Sequence, residues 1–459
     1  MGRPLAFALA VVGILLAVAL LDRGRELNPP SASLPAATPT EEMEPLEPST
    51  TAAAGDGSLL DCLSSVAAPG SVPASPPLTP RGVDEIADRV ERLRRLRFDG
   101  AVDVRLLTAD EINREVSSLI DEGSHPGLIR RQGEALELLG AIPPGADLLG
   151  LTRRALDSQV LGLFVPETQE LLVARSGEAG AIEAITVAHE LEHALAYDAL
   201  GLPLADRPRP GRGDRDLAAL ALVEGDATLA MSLYAVRYIP AGEQLALLGD
   251  PALSSGQSEL DELPYIIQAQ LIFPYEAGLA YACERYSKGS WEAVDRAYAN
   301  PPRSTAELLD PAAGPVRTTE PAPIPALGSP WRRMLADEIG AAELSWLFEA
   351  PGDDPGAAIP DAAGSASDWR GGSIALWQRG NERALGVSLA ERPGGSLCEA
   401  IVAWYGAANP NATLSRGDDE TTTFSDSDRF ATIGCAEGGV RLGIAPEPES
   451  AQRLATASR

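Results

Sequence analysis

The sequence predicts an α+β fold, in which a mainly helical domain carrying a small sheet or hairpin is followed by a small α+β domain. Three observations predict it. Val83, Ile86, Val90, Leu93 and Leu96 recur at helical spacing. Two apolar runs, Val160 to Val165 and Glu170 to Ala174, are split by Pro166-Glu167-Thr168-Gln169 in the manner of a hairpin. Beyond the proline-rich stretch from Pro311 to Pro330, apolar runs with strand and helix character alternate as far as Ile444.

The elements follow in order. Leu5 to Leu21 is an uncharged apolar run just long enough to cross a bilayer, so residues 1–24 read as a signal anchor that holds the protein at the cell membrane by one N-terminal helix. Ala17-Val18-Ala19 leaves a cleaved signal peptide, and a secreted protein, as the alternative. Residues 25–80, rich in Pro, Ala, Ser, Thr and Glu, cannot pack a core and read as a tether. The helical domain spans 81–315: a helix from Val83, a strand ending at Leu107, and a helix from Ala109 to Ile120 opened by the capping box of Thr108 and Glu111. The hairpin comes next. Glu178 to Asp198 and Asp216 to Tyr234 read as long buried helices, the second with a possible kink at Gly225. Leu263 to Phe273 and Tyr275 to Tyr286 read as two helices broken at Pro274, with a third from Trp291 to Tyr298. After a linker at 316–330, the α+β domain occupies 331–446: helix from Trp331 to Phe348, strands Ser373 to Trp377 and Ala384 to Leu389, helix Leu397 to Tyr405, strands from Thr421 to Ile444, then a tail at 447–459.

Composition narrows the function classes. The chain has 459 residues and is 45% hydrophobic, enough for more than one packed core. With 37 basic against 66 acidic residues, its net charge of −29 argues against nucleic acid as a partner. Four cysteines form an even set that suits disulfides outside the cytoplasm. Cys398 with Cys435 is the pairing within one segment, and Cys62 with Cys283 would staple the end of the tether to the central domain.

Only three histidines occur, His125, His189 and His193, and two of them fall in His189-Glu190-Leu191-Glu192-His193 within a segment of helical period. Residues i and i+4 share one helix face about 5 to 6 Å apart, so both imidazoles can reach one zinc ion. Glu190 beside them is placed to act as the base that takes a proton from zinc-bound water attacking a peptide carbonyl. A catalytic zinc needs a third protein ligand and an open position. Glu224, 31 positions after His193, interrupts an apolar helix, where a carboxylate demands a metal or a hydrogen-bonded partner. Asp226 and Asp198 are both candidates to orient a ligating histidine through its other ring nitrogen, and the choice between them stays open. For stabilising developing oxyanion charge, Tyr275 is the first candidate; Arg303 is a candidate to bind a substrate carboxylate. An edge strand of the hairpin would bind an extended peptide by strand addition.

The HELEH motif followed by a helix-borne glutamate resembles the gluzincin type of zinc metallopeptidase, with its thermolysin-like His-His-Glu arrangement. More narrowly, His189 to Leu195, Ala221-Leu-Val-Glu-Gly-Asp-Ala227, Phe273-Pro-Tyr-Glu-Ala-Gly278 and Asn300-Pro-Pro-Arg-Ser-Thr305 are similar to a bacterial family of anchored or secreted HExxH proteins. The similarity runs over most of residues 83 to 445, and this chain departs from it at Glu192 and at Ala196-Tyr197-Asp198. The resemblance implies a zincin-like domain holding one zinc ion through His189, His193 and Glu224, with Glu190 as base and a peptide or protein as substrate. The competing expectation is a non-catalytic envelope protein, stabilised by its metal, that binds a partner.

Overall fold

The computed structural model describes residue 62 and residues 75–456, except 101, 124–125, 158–161, 167, 175–179, 205–210, 248–259 and 418–420. The N-terminal apolar run, most of the tether and His125 lie outside the described residues. Helix α1 (Pro80–Arg94) opens on Thr79, whose hydroxyl accepts from Gly82 N–H, and buries Val83, Ile86 and Val90. It ends where Arg95 takes the left-handed conformation, with φ of 61°. Strand β1 (Asp103–Leu107) leads to α2 (Ala109–Gly123), opened by the expected capping box of Thr108 and Glu111. Two helices follow that the sequence analysis did not assign, α3 (Pro126–Leu138) and α4 (Leu148–Asp157). Strands β2 (Gly162–Val165) and β3 (Glu170–Ala174) form the anticipated antiparallel hairpin, and β1 joins the far side of β3 in parallel, making a three-stranded sheet in the order β1-β3-β2.

Against this sheet stands the long helix α5 (Ala181–Leu200); α6 (Gly213–Tyr238) packs on α5, and after the short α7 (Ala241–Leu247) the long α8 (Tyr265–Ala299) packs on α6. Two expectations fail here, for related reasons. Gly225 does not kink α6; it meets Gly278 of α8 where the two backbones touch. A Cβ on Gly225 would lie 2.1 Å from the Gly278 carbonyl carbon, and one on Gly278 would lie 2.1 Å from the Ala221 carbonyl oxygen. Nor does Pro274 break the chain into two helices. It sits buried inside α8, where the packing of Phe273, Tyr275 and Gly278 outweighs the hydrogen bond that proline forfeits. The break falls instead at Gly289 and Ser290, whose backbone angles are not helical.

After α9 (Ala306–Leu309), residues 310–331 hold no helix or strand. Trp331 to Phe348 is not one helix: it divides into β4 (Arg332–Glu338) and α10 (Ala341–Glu349), joined at Gly340, whose N–H is accepted by Glu343. Residues 332–338 suit a helix by local preference, but β5 (Trp369–Arg379) offers them a full strand partner. With α11 (Ala362–Ser367), β6 (Glu382–Glu391), α12 (Leu397–Ala408), β7 (Thr413–Arg416), β8 (Thr421–Ser425), β9 (Phe430–Ala436) and β10 (Gly439–Ala445), the chain completes a seven-stranded antiparallel sheet ordered β4-β5-β6-β10-β9-β8-β7. The stretch read as a tail folds as α13 (Pro448–Ala455), with Ala451 and Leu454 fully buried.

The two sheets share a core. One apolar cluster runs from Ile112 and Leu222 through Tyr275 and Trp346 to Leu376 and Leu442, and Phe273 meets Trp346 edge to face at 5.6 Å. Polar contacts fasten β4 to the start of α6: the Asp337 carboxylate accepts from Gly211 N–H at 2.9 Å and Gly213 N–H at 3.2 Å. Asp214, buried beside Gly340, accepts from Thr305 N–H at 3.1 Å and from its hydroxyl. Disulfides join Cys62 to Cys283 and Cys398 to Cys435, with Cα separations of 5.7 and 5.9 Å. Among the described residues, α6 is long and apolar enough to cross a membrane, but 89% of its apolar window is buried within the protein.

Two outcomes follow from this packing. Gly225→Ala forces α6 and α8 apart and lowers unfolding stability by about 1–3 kcal/mol or more, read from urea melts; an unchanged midpoint would contradict the close crossing. Burial raises the Asp214 carboxyl from 3.8 to about 6, with Glu338 adding to the effect and the Thr305 bonds opposing it. The folded state therefore holds this proton to higher pH than the unfolded chain, so its contribution to stability declines as pH rises from 3.8 to about 6. Asp214→Asn should remove that part of the slope in melts taken across the window, and an identical slope would count against it.

Candidate metal centre

Helix α5 is buried from Ala181 to Ala196, so every polar side chain in that stretch must find its partner inside the protein. His189 and His193, one turn apart, project to the same place, and α6 brings Glu224 to meet them. Nε2 of His189 lies 3.1 Å from Nε2 of His193; the Glu224 Oε2 atom lies 3.3 Å from the first and 3.4 Å from the second. All three side chains are buried, and they form a group able to hold a metal ion. The spacing suits that role. Ligand atoms about 2.0–2.1 Å from a tetrahedral ion stand about 3.3 Å apart, and the three observed edges match one face of such a tetrahedron. Burial opposes ionisation of Glu224, yet the two imidazoles outweigh it and bring its carboxyl down to about 2.

Glu190 occupies the β2 side of α5. Its Oε2 accepts from Phe164 N–H at 2.9 Å, while its Oε1 is buried without a hydrogen-bond partner among the described residues. Burial pushes its carboxyl up to about 8, with Glu224 acting in the same sense and His189 and the Phe164 amide opposing. The two acids of the site are thereby driven in opposite directions, Glu224 towards the carboxylate and Glu190 towards the proton-bearing form. Gly162 makes room for Glu190: a Cβ there would lie 2.8 Å from its Cγ and 3.0 Å from the Thr186 methyl.

Tyr275 is buried and brings its ring to 6.2 Å from that of His189 at an interplanar angle of 29°. Burial, together with the neighbouring Glu224 and Glu190 carboxyls, holds its phenol well above the ordinary range. The Gly225–Gly278 crossing is what delivers it, since Gly225 adjoins Glu224 and Gly278 lies one turn beyond Tyr275.

The other expected residues stand elsewhere. Asp226 does not orient a histidine; two positions past Glu224 it turns to another side of α6, accepting from Arg94 Nη2 at 3.0 Å and from the Tyr298 hydroxyl at 2.8 Å. Asp198 is exposed near the end of α5 and accepts from Asp99 N–H and Gln169 Nε2. Its place five residues past His193 puts it on another face. The Nδ1 atom of His189 has no hydrogen-bond partner among the described residues. Arg303 is exposed before α9, where its N–H donates to Glu307 at 3.0 Å, and no described contact links it to the histidines or Glu224.

A buried ionic group, not anticipated from the sequence, lies behind the two histidines and Glu224. Arg94 Nε donates to Glu192 at 2.6 Å; its Nη2 reaches Asp226 and Asp295, each at 3.0 Å; its guanidinium lies 4.2 Å from the Trp291 ring centroid. The signal was present. Glu192 interrupts an apolar helix just as Glu224 does, and the same demand for a partner applies to both.

Comparison with known protein families, curated proteins and solved structures found no match.

Loss of Glu224 from this group should damage ion binding far more than a steric change beside Glu190. Glu224→Ala is expected to weaken divalent-ion binding by more than the about 10- to 100-fold that follows loss of an outer partner, measured by competition with a chelator. Gly162→Ala should leave that affinity unchanged. Equal affinities for Glu224→Ala and wild type would remove Glu224 from the ligand set.

Proposed function

We propose that this protein is a zinc-dependent hydrolase of gluzincin type, a peptidase with a zincin-like domain acting outside the cytoplasm. The single observation that carries the reading is the convergence of His189 Nε2, His193 Nε2 and Glu224 Oε2 at tetrahedral-edge spacing, with Glu190 beside them. Two imidazoles and one carboxylate suit zinc by donor type, and the resemblance of HELEH with a downstream glutamate points the same way. When bound, zinc supplies a Lewis acid that polarises a carbonyl and acidifies water.

The chain's own groups do the rest. Glu190, with its carboxyl ionised, takes the proton from the attacking water and returns it to the leaving amine. Tyr275, its ring 6.2 Å from that of His189, supplies a phenolic donor for negative charge developing on the substrate oxygen. Strand β2 lies at the edge of its sheet beside Glu190, the edge to which an extended peptide substrate would add. The paired cysteines support an oxidising compartment, and Leu5 to Leu21 supports anchorage at the membrane.

One observation favours a second reading, in which the metal only stabilises an envelope protein that binds a partner. His189, Glu190, His193 and Tyr275 are each 1% exposed and Glu224 is 2%, so a substrate must displace something to reach them. The test is Glu190→Gln in the purified ectodomain, assayed for zinc content and for cleavage of a peptide library. The hydrolase reading expects full zinc and a loss of about 10²- to 10⁴-fold in cleavage. Equal cleavage by the mutant and wild type would refute Glu190 as base, and a zinc-loaded wild type that cleaves nothing would leave the stabilising role.

A further inference from the structure

We propose that Arg94 is a positioning residue for the metal centre, an internal cation that fixes the spacing of the two helices bearing the metal ligands. The proposal rests on the metal reading of His189, His193 and Glu224. Its basis is where the guanidinium's partners sit. Glu192 directly precedes His193 on α5, and Asp226 follows Glu224 by two residues on α6. One fully buried guanidinium binds both, through Nε at 2.6 Å and Nη2 at 3.0 Å. The same Nη2 reaches Asp295 on α8, beyond the bend at Gly289, and Tyr298 of that segment donates to Asp226 at 2.8 Å. Trp291 closes one face of the guanidinium at 4.2 Å. Three helices are thus tied to a residue from a fourth, α1, at a point behind the ligands.

The physical consequence concerns Glu192 and Asp226. With Arg94 present, two carboxyl groups on the two ligand-bearing helices share one planar cation whose donors point in fixed directions, so the distance between the helices is set by its geometry. Without it Glu192 loses that donor in a dry interface, and Asp226 keeps only the Tyr298 hydroxyl. Whether they repel or take up protons and seek other partners, the α5–α6 spacing changes, and with it the edges of His189, His193 and Glu224. A lysine would retain the charge but not the fork.

Three proteins test this, each checked for folding by thermal melt and titrated with zinc against a chromophoric chelator: wild type, Arg94→Met, and the triple variant Arg94→Met, Glu192→Met, Asp226→Asn. The expected result is a zinc affinity about 10- to 100-fold weaker for Arg94→Met, the range seen when an outer partner of a metal site is lost. The triple variant removes the stranded carboxylates along with the cation and should recover most of that loss. Wild-type affinity in Arg94→Met would overturn the proposal, as would a triple variant no better than Arg94→Met. If Arg94→Met does not fold, Arg94→Lys takes its place, with weakened binding expected and wild-type affinity again overturning it. A wild type that binds no zinc would refute the metal reading itself, which separates the two failures.

Discussion

The structure depends on one constraint: the contact between α5 and α6 is dry and carries more ionisable groups than an apolar interface tolerates unpaired. His189, Glu190, Glu192, His193, Glu224 and Asp226 are all at most 2% exposed. Each must be neutralised, hydrogen-bonded or held to a cation, because an isolated charge in such surroundings is prohibitively costly. The protein answers with two centres back to back. On one side the histidines and Glu224 gather at the spacing of metal ligands; on the other Arg94 gathers Glu192, Asp226 and Asp295. A guanidinium is charged at every accessible pH, so the second centre needs no ion from solution.

Much of the remaining architecture serves to bring groups to this contact. The small three-stranded sheet supplies β2, whose backbone amide holds Glu190 and whose Gly162 leaves space for it. Helix α8 reaches the interface because Gly225 and Gly278 let two backbones touch, and it contributes Tyr275 on one side of its bend and Asp295 and Tyr298 on the other. The seven-stranded sheet is not remote from the site. Asp337 at the end of β4 accepts from the amides at the start of α6, and Asp214 joins that helix to Thr305 and the Gly340 turn. The Cys62–Cys283 disulfide fastens the chain before α1 to α8, and α1 then delivers Arg94.

Local patterns were legible wherever the interaction that decides an element is short in range. The capping box at Thr108, the hairpin around Pro166 to Gln169 and the long helices bearing His189 and Glu224 all follow from residues close in sequence. Misreadings arose where a distant partner decides. Pro274 and Gly225 carry strong local meanings as breaker and kink, but a neighbouring helix overrides the first and uses the second as a contact. Arg332 to Glu338 suits a helix until β5 claims it as a strand.

By itself the sequence determined which groups could hold a metal ion: histidines one turn apart, with an acid between them, and a carboxylate too deep in an apolar helix to be idle. Those conclusions rest on helical period and on the cost of burying charge, both of which are local. Only the tertiary structure decided what each remaining acid does, because partner choice depends on which helix face meets which neighbour. Asp226 turned to Arg94 and Tyr298 rather than to a histidine, Asp198 stayed at the surface, and Glu192 became the link between α5 and α1. A carboxylate's need for a partner can be read from its sequence neighbours; the partner's identity is set by packing across well over a hundred residues of chain, as Arg94 and Asp226 show at a sequence separation of 132.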